Sequence, residues 1–149
     1  MKKYELTKET KTLADGTVLH RIRALRDIPR HGIKAGDIGG WIEKYDNLAQ
    51  HGDAFVCDDA KVYGNAKVHG NAWVSGNAKV YGNAWVYGNA WVYSNAKVYG
   101  NAKVSGDAEV CGNTEVCGNT EVFGDAWIYG NAKIDGNADK ERQNDYQYR

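Results

Sequence analysis

The chain has 149 residues, with 19 basic and 19 acidic side chains, so no global charge draws it to a nucleic acid polymer or to an acidic membrane surface. Eighteen glycines against a single proline, with ten tyrosines and five tryptophans, describe a one-domain chain of many turns and few helices. No apolar run approaches the roughly 20 residues of a membrane span, Tyr4 to Glu9 is too polar for the core of a secretion signal, and the three cysteines, Cys57, Cys111 and Cys117, match no zinc spacing. The expectation is a cytoplasmic protein with no membrane partner and no metal site.

Residues 1–51 read as a capping module. Tyr4 to Leu13 and Thr17 to Leu25 form a β-hairpin about Ala14-Asp15-Gly16, because Asp-Gly supplies the positive φ of a hairpin turn. Arg26 to Asn47 is broken by Pro29, Gly32, Gly36, Gly39 and Gly40, with Trp41-Ile42 as its apolar anchor. This module is expected to cover the open end of the repeat region beginning at Gly52, an end that otherwise exposes apolar side chains and unpaired strand groups.

Residues 52–138 repeat Gly-Asn-Ala-x-Val-x without slipping, from Gly52-Asp53-Ala54-Phe55-Val56-Cys57 to Gly130-Asn131-Ala132-Lys133-Ile134-Asp135. An unbroken short period is the mark of a solenoid, whose units contact mainly their neighbours. Side chains two apart on a strand share a face, so Ala and Val point inward together and the residues beside Val point outward. Gly-Asn is the corner, since both residues tolerate left-handed backbone. Projected backwards, the register puts Ile42 and Leu48 at the position later held by Ala. Residues 139–149 are polar and off-register, and read as a tail or as a short capping helix with Asn137 as N-cap.

The hexad, as in Val62-Tyr63-Gly64-Asn65-Ala66, resembles the hexapeptide-repeat proteins. Ala24 to Pro29 and Lys34 to Glu43 resemble the YdcK-like proteins of bacteria and their phages, which are grouped with acyltransferases on fold alone. The resemblance implies an all-β, single-stranded, left-handed parallel β-helix of about five coils with a small N-terminal β cap. It also implies three hexads per coil and frequent homotrimers. With 18 residues per coil, outward residues sort into columns. Phe55, Trp73, Trp91, Glu109 and Trp127 share a first face with Tyr93 and Tyr129; Lys61, Lys79 and Lys97 share a second with Tyr63, Tyr81 and Tyr99; Lys67, Trp85, Lys103 and Glu121 share a third with His69 and Tyr87. Glu109, Glu115 and Glu121 ring one coil, where they would relieve the lysine columns.

These columns suggest three functions. A contiguous aromatic face marks a contact surface, so Phe55, Trp73, Trp91, Trp127, Tyr93 and Tyr129 are expected to form an oligomer interface in a non-enzymatic scaffold or binding module. Alternatively, Lys61, Lys79 and Lys97 with Tyr63, Tyr81 and Tyr99 sequester a small anionic or aromatic ligand such as a nucleotide. The third is the activity the resemblance implies, a coenzyme-A-dependent acyltransferase. It would use His69 as general base, yet no loop interrupts 52–138 and no sequence-placed partner completes a triad. Without that activity no cofactor is expected.

Overall fold

Fourteen two-residue strands, from Phe55–Val56 to Lys133–Ile134, recur every six residues. In the computed structural model, which describes residues 2–135 together with the backbone strands Asp139–Lys140 and Asp145–Tyr146, each pairs in parallel with a strand 18 residues away. Trp73 lies against Trp91, Lys79 against Lys97 and Trp85 against Lys103. Three consecutive hexads therefore make one turn, and the strands stack into three separate sheets. The chain is an all-β parallel β-solenoid of about five turns. Alternation decides the inside: Ala72, Val74, Ala78, Val80, Ala84 and Val86 are all fully buried, as are their equivalents along the axis. Two inward positions carry Thr in place of Ala. Thr120 satisfies its hydroxyl on the Cys117 carbonyl at 2.7 Å, whereas the Thr114 hydroxyl is buried with no partner among the described residues.

The two corner residues divide the work. The first takes the left-handed backbone and is glycine at nearly every corner, Asp58 (φ 57°) being one exception: Gly88, at φ 66°, is typical, and a Cβ there would lie 2.9 Å from the Gly106 amide. The asparagines that follow are not in that region. Their side chains instead form columns up the corners, Asn65 to Asn83 to Asn101 and Asn71 to Asn89 to Asp107, each amide donating to the next oxygen at 3.2 Å. Asparagine is present for its paired donor and acceptor, not for backbone tolerance. Ser94 occupies a glycine position at φ 61°.

Tyr4–Thr12 (β1) and Val18–Ala24 (β2) pair antiparallel, and Ile38–Ile42 (β3) pairs antiparallel with β2 and parallel with Lys61–Val62, so the N-terminal module is fused into the second sheet of the solenoid. Gly39 and Gly40 allow this close approach. A Cβ on either would lie 2.7 Å from a carbonyl oxygen of the first coil, Val56 or Ala60.

In every later coil a carbonyl at the lower edge accepts from the coil before it, as Ala72 does from the Phe55 amide and Gly70 from the amides of Asp53 and Ala54. The first coil has no such neighbour, and the N-terminal module supplies the donors. Lys3 Nζ donates to Ala54 and Gly52, Arg26 to Gly52 at 2.7 Å, and Arg21 to Asp58 at 3.3 Å. Asn47 Nδ2 donates to Gly64 and Ala66, and the backbone amides of Trp41, Glu43 and Ala49 to Ala60, Val62 and Val68.

The backward projection of the register fails by two residues. Ile42 pairs with Val62 and Leu48 bridges to Val68, so both occupy the Val position and not the Ala position. Phe55 pairs with Trp73 in the regular 18-residue step, and the two extra residues fall in the corner between Leu48 and Phe55. At the other end, Asp139–Lys140 pairs with the strand of Glu121 and Asp145–Tyr146 with that of Trp127, again 18 residues on, so these residues are in register. Asn137, the expected N-cap, lies outside the described residues.

Gly88→Ala is expected to lower stability by about 1–3 kcal/mol, through left-handed strain and contact with Gly106. Ser94→Gly is expected to raise it by about 0.5–1 kcal/mol, the strain relieved less the entropy added to the unfolded chain. Urea midpoints at constant slope test both. Lys3 yields a third expectation. It is fully buried, and burial, reinforced by Arg26 and opposed by Asp53, brings its ammonium down to about 8 from its ordinary 10.5. The folded chain loses this proton before the unfolded chain does. The cost of burying the charge is complete below about pH 8 and fades as pH rises towards 10.5. Cys57, pushed up to about 12 by burial and then by Asp58 and Asp37, works in the opposite direction. The Lys3 contribution is therefore read as a difference: wild type gains stability relative to Lys3→Met between about pH 8 and about pH 10.

Candidate functional site

The first face is not a continuous aromatic wall. Phe55 is fully buried beneath Gly39, so it has no surface to offer a partner and does not belong to an interface. Trp73 is half-buried because His31, from the Pro29–His31 turn, lies on it with ring centroids 4.7 Å apart. His31 is anchored by its Nε2 on the Asn71 carbonyl at 3.1 Å, and Arg30 and Arg26 by ion pairs to Asp53. Beyond this cover, Trp91 and Trp127 are each 44% exposed. Tyr93 and Tyr129 are half-buried beside them. The Tyr93 hydroxyl donates to Glu109 at 2.9 Å and the Trp127 indole to the Cys111 sulfur at 3.4 Å. Arg30, Asn89, Asp107 and Glu109 line a shallow recess of about 290 Å³ next to Trp91.

The second face brings its lysines and tyrosines into two adjacent columns. Tyr63, Tyr81 and Tyr99 stack with centroids 5.1 and 5.0 Å apart and planes within 5° of parallel. Their facing sides are thus spent on one another, and no gap admits a third ring between them. Lys61, Lys79 and Lys97 are half-buried along the same sheet. Burial, then Lys11 and Lys79, pulls the Lys61 ammonium down, and its Nζ donates to the Asp59 carbonyl at 3.1 Å.

The glutamate ring does not neutralise these lysines. Among the described residues no ion pair joins Glu109, Glu115 or Glu121 to a lysine. Glu115 accepts from the Tyr99 hydroxyl at 2.5 Å, as Glu109 does from Tyr93. A glutamate side chain reaches across to the adjacent column, to the tyrosine of the preceding coil, where a short charge-assisted bond is available. These bonds, with the neighbouring cysteines, hold both tyrosine hydroxyls above their ordinary range; burial leads for Tyr93 and the Glu115 bond for Tyr99. Cys57, Cys111 and Cys117 are free and buried.

On the third face His69 is half-buried between rings. It stacks on Tyr87 at 5.0 Å with planes 1° apart, and meets the edge of Trp85 at 5.8 Å. Burial, then Lys67, lowers its pKa. Among the described residues His69 makes no side-chain hydrogen bond, so nothing orients it as a general base. Where this face meets the N-terminal module, a groove of about 520 Å³ opens between Tyr45–His51 and the side chains of Lys67, His69 and Trp85. Sequence reasoning misses this groove. Trp85 between Lys67 and Lys103 is a visible signal, but Ala49 beneath His69 is hidden by the two-residue shift. Among the described residues no cluster of His, Cys, Asp or Glu is placed to hold a metal ion, and no helix is long and apolar enough to cross a membrane.

Tyr99→Phe is expected to cost about 1 kcal/mol in urea unfolding, since it leaves Glu115 without its donor. Glu115→Gln, which keeps an acceptor, is expected to cost less and to let the Tyr99 hydroxyl titrate nearer its ordinary range.

A search of curated proteins finds no significant match. Residues 78–94, which bear Tyr81, Trp85, Tyr87 and Trp91, match the family model of the YdcK β-solenoid repeat.

Proposed function

We propose that the chain is a non-enzymatic scaffold that self-associates as a homotrimer through the indoles of Trp91 and Trp127, flanked by Tyr93 and Tyr129. The observation that carries this reading is the exposure of both tryptophans on a face whose other large aromatics in the same column, Phe55 and Trp73, the N-terminal module covers in whole or in part. Exposed indoles in a patch are the usual centres of protein contacts. Three-fold association follows the habit of the hexapeptide-repeat proteins that the sequence resembles. The shielding of Phe55 and Trp73 by the N-terminal module confines the contact to the later coils. The Lys–Tyr face supports a nucleotide site less well, because the facing sides of its rings are already paired and leave no room for a base between them. A His69-dependent acyl transfer is supported less again, since the imidazole is stacked and unoriented. Three free, buried thiols fit a reducing cytoplasm.

Light scattering on a sizing column at micromolar concentration tests the reading. A mass three times the 16.5 kDa of one chain is expected. Trp91→Ala with Trp127→Ala should give a folded monomer. A monomeric wild type, or a double variant that still trimerises, counts against it.

A further inference from the structure

The column of rings on the third face ends abruptly. Tyr87 and His69 stack in parallel at 5.0 Å, and the residue one rung below His69 is Ala49, whose amide bonds the Val68 carbonyl as the His69 amide bonds Val86. Every rung of a parallel solenoid is about 4.8 Å from the next, so a methyl group stands where the stack would place another ring. Among the described residues Tyr87 is the one ring stacked in parallel on His69, and Tyr45 and His51 line the space on the other side without stacking on it. The space is the groove of about 520 Å³, within the range of small-molecule sites. Its walls are apolar at Leu48, Val68 and Trp85, and polar at Gln50 and His51. Lys67 borders it with an exposed ammonium, and Asp46 is the one carboxylate on its rim.

We propose that this groove binds a small planar aromatic anion, its ring stacked beneath His69 in the slot above Ala49 and its charge on Lys67. The ligand extends a column the protein itself has begun, Tyr87 then His69 then ligand, at the same spacing. The site is independent of the Trp91–Trp127 contact, which lies on another face.

Naphthalene-2-carboxylate, titrated calorimetrically into the full chain, is the probe. Saturable binding of one molecule per chain is expected, with quenching of tryptophan fluorescence. Cyclohexanecarboxylate, which carries the same charge without a planar ring, should bind at least tenfold more weakly. Ala49→Phe fills the slot from within and should abolish binding while leaving the circular dichroism of the fold intact. Lys67→Gln, a surface change that keeps the fold, should weaken binding about tenfold and serves if Ala49→Phe does not fold. Trp91→Ala with Trp127→Ala should leave the affinity unchanged whether or not it alters the oligomer. No saturable binding at millimolar probe, equal binding of the two carboxylates, binding undiminished by Lys67→Gln or by a folded Ala49→Phe, or binding lost with the first-face tryptophans would each overturn the proposal.

Discussion

A parallel coil cannot satisfy its own edge. Each carbonyl on the lower rim of a coil needs a donor from the coil beneath, and the first coil has none. Leaving several such groups buried and unpaired would cost more than the whole margin of stability of a small domain. The N-terminal module answers this constraint. Its Lys3, Arg21, Arg26 and Asn47 side chains and the amides of Trp41, Glu43 and Ala49 meet the carbonyls of the first coil one by one. The basic character of residues 1–51, ten Lys and Arg against seven Asp and Glu, acquires a reason: part of this charge donates hydrogen bonds to backbone. The Lys3 side chain is buried completely, and burial, more than the nearby Arg26, lowers its pKa.

The same module decides which outward residues remain available. By laying Gly39 over Phe55 and the Pro29–His31 turn over Trp73 it removes the first and part of the second from solvent, and by carrying only the methyl group of Ala49 on the rung below His69 it leaves a notch there. The edge that had to be capped thus shapes both candidate surfaces. The uncovered indoles lie on the coils beyond the cap, and the groove lies where the cap and the third face meet.

The solenoid is legible in the sequence because its determinants are local and repeated. Ala and Val two apart, with glycine at the corner, fix a strand and a turn every six residues. The outward columns emerge once 18 residues are taken per coil. What escapes depends on contacts between distant segments. Nothing near Phe55 in the sequence says that Gly39 will lie across it. No local pattern shows that the corner between Leu48 and Phe55 holds two more residues than later corners, so the repeat register alone sends Ile42 and Leu48 to the wrong inward position. The glutamates look like partners for lysine because charge is visible in a sequence. The hydroxyl of a tyrosine in the preceding coil is not.

The asparagine columns carry one more consequence. All three corners of the prism are built from the same Gly-Asn pair, while the three faces differ. Backbone and core therefore have a period of six residues, whereas the surface has a period of 18. Insertion of a single hexad would leave the corners and the Ala–Val core intact and yet turn every later face by a third of a revolution, setting indoles over lysines. Architecture in such a chain tolerates growth by one strand. Surface chemistry tolerates it only by whole turns, so the number of coils and the identity of the faces are inherited under different rules.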